Sequence, residues 1–270
     1  MRAWIVSDIH FSMLDLIRGR NLRVPDADVC ICAGDIADNI VMGIAYIRRN
    51  IEPFMPVIVV LGNHDFFDSS IDLALETARV EIEDSRISLL ENGYLSVGDC
   101  RFIGATLWTD FAVEVGGDEH IPPEERRALA ASLLPNYMAD YHRIIRSNER
   151  ADGEGGKVTV HELLARHLES RAYIDDQLAI PFAGRTVVIT HHAPLPESFD
   201  ARFHGQITNA AFASDLSDLI FRRQPTVWIH GHIHKFRDYM QDRTRIICNP
   251  LGYASDANFS GFRAGFVVDL

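Results

Sequence analysis

No stretch of the 270 residues is apolar for long enough to cross a bilayer as a helix, so no membrane association is expected. Basic residues are in deficit, 26 Lys and Arg against 38 Asp and Glu, for a formal net charge of -12. A protein that holds long nucleic acid needs a basic stripe to displace counterions, and none is present. A small anionic substrate stays open, because bound cations can reverse the local potential of an acidic protein. Cysteine is sparse: Cys30, Cys32, Cys100 and Cys248 form no C-x-x-C pair, which argues against a zinc ribbon or redox motif. Each lies in an apolar stretch and reads as a small buried thiol. The start of the chain turns polar at Ser7-Asp8, too early for a signal peptide, so a reducing cytoplasmic setting is expected. Internal repeats and low-complexity tracts are also missing, which excludes solenoids and arrays.

What is there is an ordinary globular composition, 47% hydrophobic and 24% charged. Short β-rich runs recur and end in polar residues. Ala3–Val6 leads into Ser7-Asp8-Ile9-His10, Val29–Ala33 into Gly34-Asp35, and Val57–Leu61 into Gly62-Asn63-His64-Asp65. Val187–Thr190 leads into His191-His192, and Val227–Ile229 into His230-Gly231-His232-Ile233-His234. Continuous apolar runs read as strands buried on both faces, and in open α/β sheets function gathers beyond their carboxyl ends. Helices are expected over Asn39–Arg49, with Asp38 as a candidate cap, over Ile71–Ile82, and over Phe212–Arg222 with Ser214 or Asp215 as cap. Hairpins are expected around Gly98-Asp99 and around Asp242-Arg243-Thr244, and a last strand over Phe266–Val268. The middle, about residues 109–180, reads as a helical cap inserted into one domain spanning 1–270. Pro135 interrupts a first helix, Tyr137–Glu149 resumes it, Ala151–Gly156 is a loop, and Thr159–Leu178 is helical again.

The polar ends carry the chemistry. Alternation along an extended segment puts Asp8 and His10 on one side, where both can reach one metal ion. Asp35 has two oxygens and can bridge two ions, while Asp38 is either a helix cap or a partner behind the site. Asn63 offers a neutral oxygen ligand. His64 can donate a proton or stabilise phosphoryl oxygens, and Asp65 can fix its tautomer and raise its pKa. His191, His232 and His234 follow strands at the far end of the chain. Burying several neutral imidazoles requires a partner for each, and metal ligation accounts for the cluster most simply.

The ordered set Asp-x-His, Gly-Asp-x-x-Asp, Gly-Asn-His-Asp, His and Gly-His-x-His, each at a strand end, resembles the calcineurin-like metallophosphoesterase superfamily, in a bacterial branch. The resemblance spans roughly residues 1–250. It implies a four-layer α-β-β-α sandwich of two mixed β-sheets flanked by helices. It also implies two divalent metal ions: Asp8, His10, Asp35 and His234 would hold the first, and Asp35, Asn63, His191 and His232 the second. His64 would act on the substrate with support from Asp65.

Imidazole and carboxylate ligands suit Mn²⁺ or Fe²⁺, with Zn²⁺ also fitting. Two such ions about 3.5–4 Å apart can bind one phosphate and activate a shared hydroxide for in-line attack. The expected activity is hydrolysis of a small phosphodiester or phosphomonoester, such as a nucleotide. A nuclease on polymers, or a binding scaffold without catalysis, are the alternatives. Candidate substrate contacts are His192, His204 after Phe203, and Tyr141 and Arg143 on the cap. For His192, and for the cap aromatics, packing is the competing reading. His161 and His167 are expected to pack.

Overall fold

The computed structural model describes residues 1–12, 22–147, 156–256 and 258–270. Its strands follow the apolar runs: β1 Arg2–Val6, β2 Val29–Ala33, β3 Val57–Val60, β4 Ile87–Leu89, β5 Gly93–Val97, β6 Cys100–Ala105, β7 Arg185–Thr190, β8 Val227–His230, β9 Arg237–Gln241, β10 Thr244–Cys248 and β11 Val267–Asp269. The first sheet has the order β11-β1-β2-β3-β4 and the second β5-β6-β7-β8-β10-β9. Both are mixed. In the first, β11 runs antiparallel to β1 while β1 to β4 are parallel. In the second, the parallel core β6-β7-β8-β10 is flanked by antiparallel β5 and β9.

The alternation of side chains along the strands dictates the layers. Ala3, Ile5, Val29, Ile31, Ile58 and Val60 face inward and pack on Phe102, Val187, Ile189, Val227 and Ile229 of the other sheet. Their neighbours Trp4, Val6, Cys30, Cys32, Val57 and Val59 face outward onto α1 (Ile40–Asn50) and α2 (Ile71–Glu81). On the opposite side, Ile103, Val188, Trp228 and Ile246 receive Ile174 of α5 (Val160–Ala179) and Leu219 and Ile220 of α6 (Ser217–Arg223). The result is the expected α-β-β-α sandwich. Strands sandwiched on both faces have no solvent side to carry polar residues, so the polar groups collect where the strands stop.

The segment expected to form a cap divides. α3 (Pro123–Leu133) and the one-turn α4 (Asp140–Arg143) stand near the strand ends, whereas α5 closes the outer face of the second sheet. Pro135 ends α3 as anticipated, but the helix expected from Tyr137 shrinks to α4, and its far end at Glu149 lies outside the described residues, as does most of the Ala151–Gly156 loop. Two caps differ from expectation. Asn39, not Asp38, caps α1 by accepting from the amides of Val41 and Met42. α6 starts only at Ser217, because the residues before it serve the site loop: Ala193 bridges Ala213, and Phe212 lies against His232 with ring centres 4.3 Å apart.

Candidate metal centre

The parallel strands of both sheets end on one rim, and every expected ligand lies there. Asp8 and His10 follow β1, Asp35 follows β2, Asn63 follows β3, His191 follows β7, and His232 and His234 follow β8. Five of them, Asp8, His10, Asp35, His232 and His234, adopt positive φ between 46° and 67°. That backbone region is unfavourable for most side chains and least so for Asn, Asp and His. Turning so sharply aims consecutive side chains at a common point instead of up and down the sheet. The glycines make room. Gly34, at φ 85°, passes the ring of His191, and a Cβ on Gly62 would collide with the Asp35 carboxylate.

Among the described residues three groups of potential ligand atoms result, each with its atoms within 4.8 Å of one another: Asp8-His10-Asp35-His234 and Asp35-His191-His232 at the centre, and His10-Asp38-His64 at the edge. Asp35 belongs to both central groups: Oδ2 lies 3.7 Å from His10 Nε2 and Oδ1 lies 3.4 Å from His191 Nε2. Asn63 joins the second group, with its Oδ1 3.1 Å from His191 Nε2. Across the sheets, the amide of His232 donates to Asp8 Oδ1 at 2.9 Å, which ties the two ends of the chain together.

The donor set fits cations. His191 Nδ1 donates to the carbonyl of Ala33 at 2.8 Å, which leaves a lone pair on Nε2. That lone pair faces Asn63 Oδ1, Asp35 Oδ1 and His232 Nδ1, the last at 3.1 Å. His234 Nδ1 likewise donates to Asp256 Oδ2 at 2.8 Å and turns Nε2 to within 2.8 Å of His10 Nε2. Acceptors gathered without a donor between them repel unless a proton or a metal ion sits there. The electrostatics of the cluster agree. Burial pulls His191 and His234 down, but facing carboxylates outweigh it and lift them to about 9 and about 10. Burial resists ionisation of Asp35 too, yet the imidazoles around it hold its carboxyl well below the usual range. Among the described residues, His10 Nδ1 and His232 Nε2 are buried without a partner, so these rings are held only by the nitrogen turned to the cluster.

His64 stands at the edge of the cluster, its ring 4.6 Å from that of His10. Its partner is not Asp65. Nδ1 donates to Asp38 Oδ1 at 2.7 Å, and Arg143 holds the other Asp38 oxygen at 3.2 Å. The reason is direction: Asp65 points beneath the loops, where its two oxygens accept four backbone amides, from Asp35, Ile36, Ala37 and Gly62. Burial lowers the His64 pKa, but the charges of Asp35 and Asp38 reverse this and leave it raised.

The expected substrate contacts fare unevenly. His192 is buried between Trp108 and His232, with Nδ1 3.2 Å from the carbonyl of Thr106, so it packs and does not open on the cavity. Burial drives its pKa down to about 3. Tyr141 is 6% exposed in the core, and Tyr137 takes the place at the cavity. The two do not share a helix face, because α4 begins after Tyr137. Arg143 reaches the site only through Asp38. His204 lies on Gly116, and its neighbour Phe203 lines the cavity instead. His167 is buried as expected, whereas His161 is exposed on α5 and does not pack. Three residues had no sequence signal: Asp256 behind His234, Asp140 accepting from Asn63 Nδ2 at 2.8 Å, and Tyr253, whose hydroxyl lies 2.9 Å from His64 Nε2.

Comparison with known proteins places this geometry. The chain is 26% identical over 277 residues to uncharacterized protein L509 of Acanthamoeba polyphaga mimivirus, covering 94% of this chain and 91% of that protein. The solved phosphopantetheinyl hydrolase PptH of Mycobacterium tuberculosis has the same fold at a TM-score of 0.71 and 19% identity, over 96% of this chain and 93% of the other. The sequence profile of the calcineurin-like phosphoesterases matches residues 1–236, which contain all the ligands described above, and the chain belongs to that family.

Proposed function

We propose that this protein hydrolyses small phosphate esters at a pair of divalent cations, with His64 as the proton donor to the leaving group. The observation that carries this reading is Asp35, which turns one oxygen to each of two ligand groups. Asp8, His10, Asp35 and His234 would hold one ion, and Asp35, Asn63, His191 and His232 the other. The set suits Mn²⁺ or Fe²⁺, with Zn²⁺ also compatible. When bound, such ions supply Lewis acidity toward phosphoryl oxygens and lower the pKa of a shared water.

The side chains of the chain do the rest. Asp256 and the Ala33 carbonyl fix the tautomers of His234 and His191, so that Nε2 of each faces inward. Asp140 fixes the Asn63 amide with its oxygen inward. His64, its pKa raised against burial by the facing carboxylates of Asp35 and Asp38, keeps Nδ1 on Asp38 and presents Nε2 to the cavity. From there it can donate to the departing ester oxygen. Tyr253 presently occupies that nitrogen and would yield it to substrate.

The described residues contain no helix long and apolar enough to cross a membrane. All four cysteines are buried and free, which supports a reducing, cytoplasmic setting. Partners of small size are favoured over polymeric nucleic acid by the net charge of -12.

The test is a screen of nitrophenyl mono- and diesters with Mn²⁺, Fe²⁺ or Zn²⁺ restored, followed by nucleotides, cyclic nucleotides and a phosphopantetheinyl ester. His64→Ala should lower turnover about 10²–10⁴-fold with metal content kept. Asp35→Asn should lose metal as well. Absence of hydrolysis across the panel with every metal refutes the proposal.

A further inference from the structure

Asp35, Asn63, His232 and His234 of the ligand cluster form the floor of a cavity of about 420 Å³, within the range of small-molecule sites. Above the floor, the walls combine aromatic rings with the uncharged polar side chains of Gln206, Thr208 and Asn209. Phe199 and Phe212 are partly buried, while Tyr137 and Phe203 line the same cavity at 65% and 43% exposure. Large rings left open to water around a concave site mark a surface made to be covered.

The charges of the lining are as telling. Arg202 is the one Lys or Arg among the described lining residues. It is already neutralised: Asp200, 8% exposed, accepts from Nε at 2.9 Å and pairs with Nη2 at 2.7 Å. Its guanidinium also lies 5.4 Å from the ring centre of Phe203 and 4.8 Å from that of Phe259. The other lining carboxylates are committed inward, Asp256 to His234 and Asp140 to Asn63. The cavity above the floor thus offers a second anion no unpaired cation, and it sets Asp200 close by. It offers a flat ring several faces.

We infer that the site takes phosphoesters whose leaving group is uncharged and carries a ring, and that it rejects leaving groups bearing a further anion. This rests on the phosphoesterase reading and names the substrate class within it. Discrimination of this kind works by leaving the wrong group's charge unpaired, in addition to attracting the right one.

A matched pair of esters tests it: 4-carbamoylphenyl and 4-carboxyphenyl phosphate, each as monoester and methyl diester, with the Mn²⁺-reconstituted full chain. The carbamoyl ester is expected to have kcat/KM about tenfold higher than the carboxylate. Asp200→Asn, which frees the charge of Arg202, should narrow that ratio, and Arg202→Ala, which leaves Asp200 unpaired, should widen it. Phe203→Ala should raise KM about threefold to tenfold for both esters with kcat kept. Calorimetric affinities of the corresponding phenylphosphonates should follow the same order. Equal or reversed preference for the carboxylate, or a ratio that neither charge variant moves, overturns the inference while leaving the phosphoesterase reading intact. Release of neither phenol from any of the esters overturns the phosphoesterase reading itself.

Discussion

Asp65 is placed to hold the site together without touching substrate, and its replacement by asparagine separates that role from catalysis. Oδ2 accepts the amides of Asp35 and Gly62, each at 2.9 Å, and Oδ1 accepts those of Ile36 and Ala37 at 3.1 and 3.3 Å. The carboxyl is fully buried. Burial and the charge of Asp35 push its pKa up to about 7, against the pull of the backbone amides. At pH 8 it is ionised and all four donors are satisfied. An asparagine side chain has one oxygen, so whichever way the amide is turned, its NH₂ group faces two N–H donors. Two buried donors left unpaired, at about 1–3 kcal/mol each, give an expected loss of about 3 kcal/mol. Alanine leaves all four unpaired and should lose about 5 kcal/mol or fail to fold. The assay is urea denaturation of the metal-free protein at pH 8, with metal uptake measured alongside, since Asp35 and Gly62 both border the cluster. If Asp65→Asn unfolded within about 0.5 kcal/mol of the parent, well inside what a lost pair of amide bonds should produce, the clamp would be wrong. If it lowered only turnover, Asp65 would be acting through His64 after all.

Other outcomes follow from the same geometry. Asp140→Leu should weaken metal binding at the Asn63 side about tenfold, because the amide loses the partner that keeps its oxygen inward, and equilibrium dialysis would read it. At pH 7, His191 and His234 hold protons in the metal-free protein, so loading should release them: apparent affinity should rise from pH 6 toward 9 and level off above about 10, and calorimetry in buffers of different ionisation enthalpy would count the protons. His230 is buried and neutral, with burial lowering its pKa to about 4. The unfolded chain therefore takes up a proton that the fold refuses. The contribution of His230 to the stability of the metal-free protein should be complete above pH 6.5 and fall toward pH 4, by up to about 1.4 kcal/mol per pH unit. His230→Gln should flatten that slope in urea midpoints measured across the window.

Much of the fold and of the cluster was legible because strand ends in a double-sided sheet have so few reasons to be polar. Val29–Ala33 and Val57–Leu61 could only be buried strands, and Asp35 and Asn63 stood out where the apolar runs stopped. The supporting residues were opaque for the opposite reason. Asp256, Asp140 and Tyr253 sit in loops where acids and tyrosines are ordinary, and only the fold reveals that they reach His234, Asn63 and His64. Asp38 and Asp65 were both visible, but their roles depend on a side-chain direction that spacing does not encode. The helix expected from Phe212 was misjudged because its leading apolar residues fit a helical period while packing against the site.

The ligands come from both layers of the sandwich. Asp8, His10, Asp35 and Asn63 extend from the first sheet, and His191, His232 and His234 from the second. Any cation seated among them therefore acts as a rivet through the seam between two slabs that otherwise meet through oily side chains and a few hydrogen bonds at the same rim. Chelation would then do more than silence chemistry. It would remove one fastening from that rim and leave hydrogen bonds such as those from His232 to Asp8 and from His191 to Ala33 to hold it.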